Sequence, residues 1–311
     1  MKIAVMGTGG VGGYFGGRLA ASGQEVSFIA RGDHLRALRK KGLQVHSGHG
    51  DLHLTPVRAT DDPAQVGPVD LVMLCVKLWA TDDAIAAMAP MMGPNSVAVS
   101  WQNGVMAEDK LVTAFGRERV WGGVSNIAAV IEAPGVIRHN GSMARLIPGE
   151  FDGQRTKRLD AFVRACEQAK VDVHVPPNIE VAIWEKYMNL VALSSMTALT
   201  RLPVGALRED PDTRALIIQL MDEVRAVGRA KGVPLADDAI ERVMKHLDNL
   251  PRTMIASMLG DLERGNRLEL PWLAGGVVRM GEAMGVATPA ARFVYAALKL
   301  YANGKPADAR A

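Results

Sequence analysis

The sequence predicts an α/β fold: a parallel-sheet domain in the N-terminal half, followed by an all-helical domain. Short apolar runs alternate with helical patterns as far as Val175, and no convincing strand follows. The pair Pro176-Pro177 marks the change, and Asn178 is a good N-cap for what comes after. At 311 residues the chain is long enough for two ordinary domains, since single cores rarely grow beyond roughly 250 to 300 residues. The expected domains are 1–176 and 177–311.

Composition narrows the function classes. Hydrophobic residues make up 48% and charged residues 22%, which is the balance of a folded globular chain. The net charge is +3 and the basic residues are interspersed with acidic ones, so the concentrated basic face that nucleic acid calls for is missing. Cys75 and Cys166 form no CxxC or metal-type cluster and fit a reducing compartment. Apolar runs such as Leu71 to Val76 fall far short of the roughly 20 residues a membrane span needs. Lys2 and the short apolar run after it echo a signal peptide faintly, but glycines begin at Gly7. The expectation is a cytoplasmic protein with no membrane partner.

The first element, Lys2 to Met6, reads as a buried strand, and apolar positions from Val11 to Ala21 read as a helix. Between them Gly7, Gly9 and Gly12 are spaced as G-x-G-x-x-G, the fingerprint of a dinucleotide site when flanked in this way. Gly7 allows the tight turn, Gly9 lets pyrophosphate approach, and Gly12 permits close helix–strand packing. The helix start, Thr8 to Gly12 with Gly10 and Val11, supplies free N–H groups for the phosphates. Gly13, Gly16 and Gly17 let the helix lie close to the sheet or to a second domain. A Rossmann-type domain is therefore expected. The second strand, Glu25 to Ala30, has no carboxylate at its end, and Arg31 follows directly. A guanidinium pairs with a 2′-phosphate that a carboxylate would repel, so NADP(H) is favoured over NAD.

A helix over Asp33 to Lys41 leads into a hairpin over Leu43 to Val57. Its histidines, His46, His49 and His53, lack a completing carboxylate or thiolate, and no metal is expected. Asp70 to Val76 reads as a central parallel strand with Lys77 at its carboxyl end. Ser96 to Ser100 is a further strand, followed by Asn103-Gly104; Lys77 and Asn103 thus stand where the carboxyl ends of strands face ligands. Strands are expected across Val120 to Pro148, with turns at Pro134-Gly135 and Asn140-Gly141, then a helix over Arg155 to Lys170 and a last strand, Val171 to Val175. Helices are expected over Ile179 to Thr200, Thr213 to Lys231, Ala236 to Leu247, Arg252 to Arg264, Pro271 to Met284 and Pro289 to Tyr301. Within the second of these, Leu216, Ile217, Leu220, Val224 and Val227 form one apolar stripe.

Taken together these residues resemble the ketopantoate reductase (2-dehydropantoate 2-reductase) family over nearly the whole chain. The resemblance rests on GTGGVG after the first strand, Arg31, Lys77 after DLVMLCV, and Asn103-Gly104. In the helical half it rests on WEK at Trp184 to Lys186, SMLGD at Ser257 to Asp261, and Glu269 in RLEL. It implies NADPH-dependent reduction of a small-molecule 2-oxo acid, ketopantoate first, on the way to pantothenate and coenzyme A. Lys186 is then the lysine that protonates the ketone oxygen, a role that developing alkoxide charge requires. Glu269 is its acidic partner and binds the substrate hydroxyl, Ser257 binds the carboxylate, and Asn103 lies between nicotinamide and substrate. The resemblance also suggests a homodimer, although apolar stripes internal to the helical domain would fit equally.

One departure stands out. Many family members carry asparagines four and eight positions after the lysine, on its face of the helix. Here those positions hold Leu190 and Ser194, and Asn189 lies on the other flank. A site that loses an amide to leucine discriminates differently among polar substrates. A paralogue reducing another oxo acid or carbonyl compound is the competing enzyme reading. A non-catalytic NADP(H) sensor is the reading from another class, and the pairing of Lys186 with Glu269 argues against it.

Overall fold

The computed structural model describes residues 1–307, and the chain divides into two compact units, Met1–Ile179 and Glu180–Ala311. The first unit runs β1 (Lys2–Met6), α1 (Gly10–Ala21), β2 (Glu25–Ile29), α2 (Gly32–Lys41), β3 (Leu43–His46), β4 (Leu52–Leu54) and β5 (Arg58–Thr60). It continues with β6 (Val69–Leu74), α3 (Thr81–Met88), β7 (Met92–Ser100), α4 (Ala107–Phe115), β8 (Val120–Ala133), β9 (Val136–Gly149), α5 (Lys157–Gln168) and β10 (Asp172–Val173).

The strands β5-β2-β1-β6-β7-β8 pair in parallel in that order. The chain steps outward from β1 to β2, leaves for β3 and β4 at the opposite end of the sheet, returns to add β5 beside β2, and then crosses to β6 on the other side of β1. That reversal between β1 and β6 is the switch point beyond whose carboxyl ends open α/β sheets bind ligands. Both faces are covered, and each strand alternates between them. Ile3, Val5, Leu71, Met73, Val97 and Val99 pack with side chains of α1, α2 and α5. Ala4, Met6, Val72, Leu74 and Ala98 pack with α3 and α4 on the opposite face.

The sheet then continues through β8 and β9, joined as an antiparallel hairpin at Pro134-Gly135, with β3 parallel to β9 and β4 antiparallel to β3. Asn140-Gly141 is not a turn between strands. It lies inside β9, where pairing jumps from Ile127↔Ala144 to Ala128↔Asn140, and Gly141 has φ +75°. The extra residues make a bulge in a ladder that runs on past them. The segment after the β3–β4 hairpin also forms β5, only three residues long and too short to show a strand pattern in the sequence.

The second unit is helical: α6 (Ile179–Thr200), α7 (Val204–Glu209), α8 (Pro211–Ala230), α9 (Ala239–Asp248), α10 (Ser257–Glu263), α11 (Ala274–Met284) and α12 (Pro289–Leu298). Helix α7, six residues long, is too short to show a helical period in the sequence. Helices α10 and α11 begin later than expected, because Pro251 and Pro271 open turns rather than helices. Glu223 on α8 is buried and accepts from the N–H groups of Ala290 and Ala291 at 2.8 and 2.9 Å, closing the first turn of α12.

Candidate active site

The glycines of α1 divide by what their missing side chains admit. A Cβ on Gly12 would lie 2.2 Å from the Gly7 carbonyl oxygen, and one on Gly16 would lie 2.8 Å from Phe28 and Val5. These two seat the helix on the sheet. On its other flank, a Cβ on Gly13 would meet Ile137 of β9 at 2.7 Å, and one on Gly17 would meet Leu43 of β3 at 3.2 Å. Gly10 is the tightest, with the Ala129 carbonyl oxygen of β8 only 2.0 Å from its absent Cβ. Gly9 differs from all of these, because nothing lies within 4 Å of the position its Cβ would take.

Gly9 is the N-cap of α1, with no side-chain cap, and the first turn holds no acidic residue. The leading N–H groups of a helix have no intrahelical acceptor and lie at the positive end of the dipole, and the space beside Gly9 is open. A pyrophosphate fits this cradle. Thr8 contributes differently from its neighbours: its Oγ1 donates to the Ile29 carbonyl at 3.0 Å, and the N–H groups of Gly7 and Thr8 donate to the same oxygen. Thr8 therefore ties the loop to the end of β2. Gly7 has φ +99° and abuts the Val76 backbone, joining the loops after β1 and β6.

These contacts yield opposite expectations for two adjacent glycines. Gly10→Ala drives a methyl into backbone and should destabilise the fold by about 3 kcal/mol, at the upper end of overpacking costs. Gly9→Ala meets no clash and should cost only the weaker N-cap, about 1 kcal/mol or less, while weakening NADPH binding as read by fluorescence titration.

Arg31, exposed, is the N-cap of α2 in extended backbone. Asp33 is taken up by Arg36 and Asp61 lies 3.5 Å from Arg39, whereas among the described residues no carboxylate pairs with Arg31. His34, one turn on, was missed in the sequence. Its Nδ1 accepts the N–H of Gly135 at 3.1 Å, so the first turn of α2 is tied to the β8–β9 turn. Burial pushes its pKa down and favours the neutral form that can accept. Lys77 is exposed after β6, with its Nζ 5.7 Å from the centre of the Trp79 ring. Asn103 is half-buried after β7. Between their loops stands Gln102, also missed: its amide nitrogen donates to the Val76 carbonyl at 2.8 Å and to Thr81 Oγ1 at 2.9 Å. His46, His49 and His53 go separate ways, to Glu132, the Ser142 carbonyl and the Lys41 carbonyl.

In the second unit, Lys186 and Asn189 are half-buried on α6, and Ser194 is buried further along it. Three residues along a helix bring Lys186 and Asn189 to neighbouring positions on its surface. Asn189 Oδ1 is buried and has no hydrogen-bond partner among the described residues. Ser257 is exposed as the first residue of α10. Glu269 is buried between Leu268 and Leu270, which are themselves fully buried.

A parallel sheet with this switch point and glycine cradle defines a dinucleotide-binding protein of the Rossmann type. The description "Ketopantoate reductase PanE/ApbA" matches residues 3–153, and its C-terminal counterpart matches residues 178–302. The chain belongs to the ketopantoate reductase family. Among its relatives, a 2-dehydropantoate 2-reductase of Mesorhizobium japonicum is 31% identical, with 93% of this chain and 94% of that one covered. An uncharacterized oxidoreductase of Bacillus subtilis, YkpB, is 32% identical, with 97% and 99% covered. The crystal structure of a PanE/ApbA family ketopantoate reductase from Ralstonia eutropha JMP134 superposes with a TM-score of 0.87 at 34% identity, covering 97% and 98%.

Proposed function

We propose that this protein reduces the ketone of a 2-oxo acid with NADPH, with 2-dehydropantoate (ketopantoate) the first substrate to test. Residues 1–176 form the cofactor domain in this reading, and residues 177–311 supply the substrate groups. NADPH, when bound, would supply a hydride, a proton carrying two electrons, to the carbonyl carbon. The N–H groups from Gly9 to Gly12 hold the pyrophosphate, Arg31 the 2′-phosphate, and Lys77 and Asn103 the remainder of the cofactor. The Lys186 ammonium hydrogen-bonds the ketone oxygen and gives it a proton as negative charge develops there. Glu269 binds a substrate hydroxyl and orients the lysine, and Ser257 receives the carboxylate. Asn189 and Ser194 complete the polar lining. Family likeness is what supports a homodimer and a cytoplasmic location.

The observation that carries this reading is the orphaned Asn189 Oδ1, one turn from Lys186. A buried acceptor without a donor costs about 1–3 kcal/mol, a cost that a bound hydroxyl relieves. Leu190, on the lysine's face, favours the second reading, in which the substrate is a less polar 2-oxo acid.

The test is NADPH oxidation with ketopantoate, beside NADH and a panel of pyruvate, 2-oxoisovalerate and phenylglyoxylate. Turnover with ketopantoate in preference to the others establishes the first reading. Preference for 2-oxoisovalerate or phenylglyoxylate establishes the second. Tight NADPH binding with no turnover of any of them sinks both.

A further inference from the structure

Tyr187 follows Lys186 on α6 and is fully buried. Its hydroxyl lies 3.0 Å from the Trp272 carbonyl oxygen and 2.8 Å from that of Leu273. A phenol has one proton, so the two acceptors share it. Burial pushes the phenol's pKa up and keeps it a donor throughout the physiological range.

Both acceptors belong to the turn that starts at Glu269. The N–H groups of Trp272 and Leu273 donate to the Glu269 carbonyl at 2.9 and 3.1 Å, so that turn is closed on itself. Arg279 fixes it further through the Pro271 carbonyl at 2.7 Å, and the Leu268 N–H bonds the Ala302 carbonyl at 3.0 Å. The Leu273 carbonyl already accepts from Gly276 and Val277 at 3.0 and 3.1 Å. It therefore does not need Tyr187 for its own satisfaction. The ring is held separately, edge-on to Trp184 with centroids 5.7 Å apart. Phenylalanine would keep that packing and lose only the hydroxyl.

We propose that Tyr187 is a positioning residue for the reduction, its hydroxyl holding the turn that carries Glu269 in register with the helix that carries Lys186. The proposal rests on the roles given above to those two residues. A carboxylate and an ammonium act together on one substrate only when their separation is fixed, and small misplacements of such groups are expensive in rate.

The experiment compares Tyr187→Phe, Glu269→Gln and the double variant in the full chain. The assay is NADPH oxidation with whichever 2-oxo acid of the panel above turns over fastest, and NADPH affinity is read by fluorescence titration. Tyr187→Phe is expected to lower kcat about tenfold. Its Kd for NADPH should stay within about twofold, because residues that share no partners act independently. In the Glu269→Gln background the same change should cost no further kcat, since residues acting through one another are not additive. An unchanged kcat overturns the proposal, as does the same fold loss in both backgrounds or a loss of NADPH affinity alongside kcat. Full activity of Glu269→Gln alone, or a panel with no turnover, overturns the underlying reading and the proposal with it. That failure is recognisable because it appears with Tyr187 intact.

Discussion

Lys186→Ala is expected to reduce kcat by about 10²–10⁴, the range associated with a positioned acid or base. Its NADPH affinity should be that of the parent, because the glycine cradle and Arg31 belong to the other unit. Lys186→Arg sharpens the test. A guanidinium keeps the positive charge but does not release its proton in proteins, so it can steady an oxyanion without protonating it. Little activity should return. Full turnover by either variant would remove the lysine from the chemistry, and a parallel loss of NADPH binding would show that α6 had been disturbed as a whole.

Arg31→Ala is expected to weaken NADPH by about 10- to 100-fold, the equivalent of one charge-assisted contact to phosphate. NADH, which lacks the 2′-phosphate, should change by less than about twofold. The environment of Arg31 makes this a clean experiment. Asp33 and Asp61 are engaged by Arg36 and Arg39, so removing Arg31 strands no carboxylate. Because the side chain is exposed, the NADPH preference should also shrink with added salt, which screens solvent-facing charges beyond about 10 Å at 0.1 M. Equal effects on both cofactors would mean that Arg31 does not read the 2′-phosphate.

The sequence made legible whatever is local. The G-x-G-x-x-G turn announces itself because only a close ligand or a tight turn explains glycine there, and the order of strands and helices follows from periodicity. What each extra glycine faces was not legible. Gly10, Gly13 and Gly17 accommodate Ala129 of β8, Ile137 of β9 and Leu43 of β3, residues between 26 and 124 positions away, and no local pattern encodes that pairing. Asn140-Gly141 carried a strong turn signal, but the pairing of β8 with β9 on either side overrides it and leaves a bulge. Helix α7 is too brief for its period to register. Gln102 and His34 work through hydrogen bonds to distant backbone, which a sequence does not display. Tyr187 reads as one more apolar residue of a buried helix until its hydroxyl is placed. In the candidate site, Lys186 and Glu269 stand out through the family resemblance and not through any property of their own sequence neighbourhoods.

Helix α1 has a consequence beyond the site. So many glycines leave it little intrinsic tendency to form, each costing about 1 kcal/mol relative to alanine in a helix interior. Its persistence is borrowed from the walls on either side, the sheet at Gly12 and Gly16 and the β8–β9–β3 extension at Gly10, Gly13 and Gly17. The helix start that cradles the phosphates therefore cannot outlast either wall. Damage to the outer strands, far along the chain from the fingerprint, should surface first as lost nucleotide affinity, with the dinucleotide loop and the remote hairpin melting as one cooperative unit.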